Sequence, residues 1–157
     1  MICLVAYSVN AQEKFTTVKE GKGWNGISVG VSTMADVVKK FGKDYKWIVN
    51  GKYSYQMSYT KQSLAFYMCQ ADKKKQIFLI EVKAPFKAKT SKGIAIGKST
   101  LADIHRIYGK NKGGGLEYRG VSFYYNEVKG KNIVSEIDIT ENAGLRQCRV
   151  EKVKGKK

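Results

Sequence analysis

The chain of 157 residues holds one histidine, three cysteines and four arginines. No Cys or His pair has the short spacing of a metal-ligand set. His105 is the one histidine, and no nucleophile or orienting group can be assigned to it from local pattern. No stretch approaches the roughly 18–20 apolar residues that cross a bilayer as a helix. These scarcities argue against most catalytic classes, and no catalytic residue, cofactor or metal is expected. Residues 93–100 invite comparison with a phosphate-binding loop. That loop needs four residues between its glycines, whereas only three apolar ones separate Gly93 from Gly97.

Positive charge is plentiful. Twenty-nine basic side chains stand against 13 acidic ones, for a formal charge of +16. All but Arg106, Arg119, Arg146 and Arg149 are lysine. Lysine attracts polyanions diffusely, whereas specific phosphate or base recognition leans on the planar fork of Arg. The charge therefore reads either as a solvated surface or as a polyanion-attracting one. Hydrophobic residues make up 43% and charged residues 27%, which excludes wholesale disorder. Lys73, Lys74 and Lys75 lie between two apolar runs and read as a hairpin turn. The basic tail, 151–157, is expected to fray.

Residues 1–7 are apolar and uncharged, and small residues follow up to Ala11. Segment 1–11 thus reads as the end of a secretory signal cleaved after Ala11, although the basic n-region is missing. The alternative is a short N-terminal strand. Without that segment, Cys69 and Cys148 remain, and they read either as a disulfide or as two separate buried thiols.

Self-similarity is the strongest pattern. Residues 26–43 match residues 93–110, with nine of eighteen positions identical. The offset is 67, and it becomes 57 where Phe66 and Tyr67 align with Phe123 and Tyr124. In each copy a Thr-x-x-Asp box (Thr33 and Asp36, Thr100 and Asp103) precedes a short amphipathic run that a glycine ends, Gly42 or Gly109. Alternating strand-like segments follow in both. The expected fold is α+β: two tandem repeats at about 24–83 and 91–140, each a short helix followed by an antiparallel meander, within one body spanning 12–150. The helices are expected on one sheet face.

The core Gly-x-Ser/Thr-x-x-Asp-Val/Ile-x-x-x-Phe/Tyr-Gly resembles the repeat of the β-lactamase-inhibitor-protein-like fold. It is also similar to SmpA/OmlA-type outer-membrane assembly lipoprotein domains. The resemblance implies a secreted or periplasmic binding protein that uses an open sheet face, with no catalytic residues.

Glu136 and Asp138 alternate with Ile137 and Ile139. They read as solvent-facing strand residues rather than as a catalytic pair. Phe66 and Phe123 mark the core face, so Tyr67 and Tyr124 point the opposite way. Tyr53, Tyr55, Tyr67, Tyr124 and Arg119 are the candidate partner-binding residues, since Tyr and Arg are favoured interface anchors. The leading expectation is a non-enzymatic, exported protein-binding module that recognises an acidic protein surface. The alternative is a polyanion-binding protein for nucleic acid or an anionic envelope polymer. An enzyme would need a pocket around His105, Glu136 or Asp138.

Overall fold

The computed structural model describes residues 13–111, 115–141 and 148. The signal-like segment 1–11 and the basic tail 151–157 lie outside the described residues. The chain runs β1 (Thr16–Val18), β2 (Gly23–Trp24), β3 (Ile27–Ser28), α1 (Met34–Phe41), β4 (Lys46–Asn50) and β5 (Ser54–Tyr59). After a 3₁₀ turn (Thr60–Gln62) come β6 (Leu64–Cys69), β7 (Ile77–Lys83), β8 (Ala88–Thr90), α2 (Leu101–Tyr108), β9 (Glu117–Tyr118), β10 (Val121–Val128) and β11 (Lys131–Thr140).

Seven strands form one antiparallel sheet in the order β4-β5-β6-β7-β11-β10-β9. Its register follows from period-2 alternation. Met57, Phe66, Ile80, Ile139 and Val121 lie opposite one another in one row across five strands. Tyr59, Leu64, Val82, Ile137 and Phe123 form the next row. Both rows are buried and belong to one core, which Val37 of α1 and Ile104 of α2 complete. Eight-residue helices are too short to stand alone, so packing on this face holds them.

The matching segments build the same local devices. The Thr33 amide donates to Asp36 at 2.8 Å and the Thr100 amide to Asp103 at 2.9 Å. The Ile77 amide donates to the Ser32 carbonyl, and the Val134 amide to the Ser99 carbonyl, which ties each helix entry to a central strand. The hydroxyls of Tyr59 and Tyr118 donate to the carbonyls of Gly42 and Gly109, both at 2.8 Å. The lysine-rich turn does join β6 to β7, and it is built on Asp72, whose carboxylate accepts from the amides of Lys74 and Gln76.

The expected α+β fold of two helix-plus-meander repeats is corrected. The described residues are mostly β, with 46% in strand and 16% in helix. Two α-helices occur among the described residues, beside one sheet that runs unbroken through both halves. Two features account for the difference. β7 and β11 pair directly, so the strands that follow each helix merge into one sheet. Strands β1 to β4 and β8 also add β structure where no alternation announced it.

Candidate functional site

The sheet face away from the helices carries an acidic cluster. Glu81 on β7 lies opposite Asp138 on β11, and Lys83 lies opposite Glu136. One carboxylate oxygen from each of Glu81, Glu136 and Asp138 falls within 4.8 Å of the others. Lys83 Nζ is 2.9 Å from Glu81 and 3.3 Å from Glu136. The Tyr67 hydroxyl donates to Glu81 at 2.7 Å. Asp138 is only 6% exposed, and among the described residues its buried Oδ1 has no hydrogen-bond partner.

Electrostatics follow from that crowding. Burial, then the charges of Glu136 and Glu81, push the Asp138 carboxyl up to about 8. Burial, then Glu81, raises Glu136 as well. Burial opposes the charge on Lys83, but Glu81 and Glu136 outweigh it and hold the ammonium above the ordinary lysine range. Burial and the bond to Glu81 raise the Tyr67 phenol.

The expectation that Glu136 and Asp138 face solvent is therefore corrected. Asp138 is buried on that face, and the Glu136 side chain is only 16% exposed. The disulfide between Cys69 and Cys148 adds cover, because buried Cys148 packs with Phe78 and Leu79, against which Tyr67 and Cys69 rest. His105 sits on α2, which packs on the core face, while Glu136 and Asp138 project from the other. The three do not share a pocket.

The candidate partner-binding residues divide between the faces. Tyr55 lies opposite buried Met68 and so belongs to the helix side. Its ring is 4.9 Å from that of Trp47, and Lys75 Nζ is 4.5 Å from its centre. Tyr53 is exposed just before β5. Tyr67 and Tyr124 occupy the opposite face; Tyr67 is half-buried in the acidic cluster and Tyr124 is exposed opposite Glu136. Arg119 is exposed in the turn between β9 and β10.

Sequence reasoning missed the β4 edge. β4 is an edge strand, and Trp47, Ile48 and Val49 are all exposed, Val49 by 58%. Beside it lies an open groove of about 620 Å³. Met34, Val38 and Tyr45 supply its apolar wall, and four lysines, including Lys39 and Lys75, surround it. Lys75 also lies over Tyr55 of β5, the residue paired with Val49 of β4. A run of three consecutive apolar residues after Lys46 was the available signal. Among the described residues, no helix is long and apolar enough to cross a membrane. Compared with protein-family models, curated proteins and solved structures, the chain matches none.

Proposed function

We propose that the chain is a non-enzymatic, exported protein-binding module that docks an extended, acidic segment of a partner protein along the β4 edge. The observation that carries this reading is the edge itself. β4 pairs on one side with β5 and shows apolar side chains on both faces. An open strand edge offers main-chain donors and acceptors to an added strand, and natural proteins usually blunt such edges with charge or cover. Here Trp47 and Val49 flank Tyr55 on the helix side as anchors, with a lysine-bordered groove next to them. The charge of +16 steers an acidic segment toward the edge and opposes pairing with a second copy of the chain. The disulfide is in keeping with an oxidising, exported setting.

A displayed library of extended peptides, panned at about 0.15 M salt, tests the reading. Acidic peptides with alternating apolar positions are expected to be retained. Trp47→Ala should weaken them by about 2 kcal/mol, roughly thirtyfold, as truncating an interface anchor does. Equal retention of heparin and nucleic acid, lost with rising salt and indifferent to Trp47, would replace this reading with polyanion binding.

A further inference from the structure

The acidic cluster sits on the face opposite the helices and plays no part in the proposed edge docking. Its three carboxylates are mostly buried: the side chains of Glu81 and Glu136 are 12% and 16% exposed, and Asp138 is 6% exposed. Buried carboxylates ordinarily satisfy their oxygens, since an unpaired buried acceptor forfeits its hydration without return. Asp138 Oδ1 breaks that rule. Among the described residues, one ammonium, that of Lys83, bridges Glu81 and Glu136, and its side chain is about half exposed.

We propose that Glu81, Glu136 and Asp138 together bind one hard divalent cation of the calcium class. The donor set contains oxygen alone, which favours calcium or magnesium over zinc or copper. Oxygens bound to one calcium at about 2.3–2.6 Å lie up to about 5 Å apart, and the cluster's oxygens fall within 4.8 Å of one another. Calcium tolerates such an irregular set, whereas magnesium demands a near-ideal octahedron. Waters complete the shell. Lys83 is the competitor: a cation entering between Glu81 and Glu136 displaces its ammonium, which the exposed stem can carry into solvent.

Terbium, a calcium surrogate excited through nearby tyrosine, is the first probe, because the Tyr67 hydroxyl lies 2.7 Å from a cluster oxygen. Full-length, chelator-treated protein should show saturable terbium luminescence that calcium displaces. Calcium titration calorimetry and thermal unfolding should give a binding isotherm and a raised Tm. Asp138→Asn keeps the side-chain shape while removing the carboxyl that a cation would hold ionised, and should weaken binding at least about tenfold. Lys83→Met should tighten binding several-fold by removing the competitor, a change that loose association with surface carboxylates would not produce. Absence of heat, of Tm shift and of displaceable luminescence at millimolar calcium, in wild type and Lys83→Met alike, would overturn the proposal. So would equal responses in wild type, Asp138→Asn and Glu81→Gln.

Discussion

Asp103 shows how one side chain organises an element. Its carboxylate accepts from the Thr100 amide at 2.9 Å and from Arg106 at 2.9 Å, and its own amide donates back to Thr100 Oγ1 at 3.2 Å. The Thr100 amide first, then Arg106 and the Thr100 hydroxyl, hold the carboxyl at about 2, below its ordinary value of 3.8. A depressed folded-state pKa contributes stability that is present above the unfolded value and is lost as pH falls through the folded value. Wild type should therefore outlast Asp103→Asn in urea near neutrality, and the two midpoints should converge as pH drops from about 4 toward 2. Parallel midpoints across that range would deny the carboxylate its role. The Thr-x-x-Asp spacing made this box legible in the sequence. The Tyr59 and Tyr118 hydroxyls that close the other end of each helix were not legible, because their partners Gly42 and Gly109 lie 17 and nine residues away.

Among elements, the turn between β9 and β10 shows what backbone approach demands. Gly120 has φ +78°, and a Cβ there would stand 2.3 Å from the Gly21 amide nitrogen. That amide donates to the Gly120 carbonyl at 2.9 Å, so the backbones are tied where a side chain would part them. Gly120→Ala should destabilise by about 1–3 kcal/mol through the strained φ and the overlap. Gly115→Ala should stay near neutral in the same urea titration, since a Cβ there meets nothing within 4 Å. Helices were readable because cap, amphipathic run and stop all fall within local sequence. Strands with alternation, β5, β6 and β11, were readable for the same reason. β4 was not, because Lys46–Asn50 is exposed on both faces and so carries no period-2 pattern. The acidic cluster was out of reach for another reason. Glu81 and Asp138 are 57 residues apart in sequence, and only the pairing of β7 with β11 makes them neighbours. Local alternation placed Glu136 and Asp138 on one face, but not beside a third carboxylate.

Across the whole molecule, the disulfide joins the sheet to the chain's far end. Cys69 closes β6, and Cys148 lies 79 residues further on. Sequence left bonded and separate thiols as equal readings, because their proximity depends on the long-range strand order. A crosslink of that span restricts the unfolded chain, a contribution of about 4–5 kcal/mol in the chain-entropy model. Total stability of a domain is about 5–15 kcal/mol, so this one bond is a large fraction of it. Cys148 also packs with Phe78 and Leu79 in one buried cluster. Reduction should therefore lower urea stability by about 4 kcal/mol, and Tm by roughly 8–16 °C for a chain of this size. The Cys69→Ala, Cys148→Ala variant should match the reduced protein and show no further loss on adding reductant. The comparison isolates the crosslink, because it holds the +16 surface and the seven-stranded sheet constant. A reduced protein as stable as the oxidised one would mean that the sheet and its two helices carry the fold without the tie.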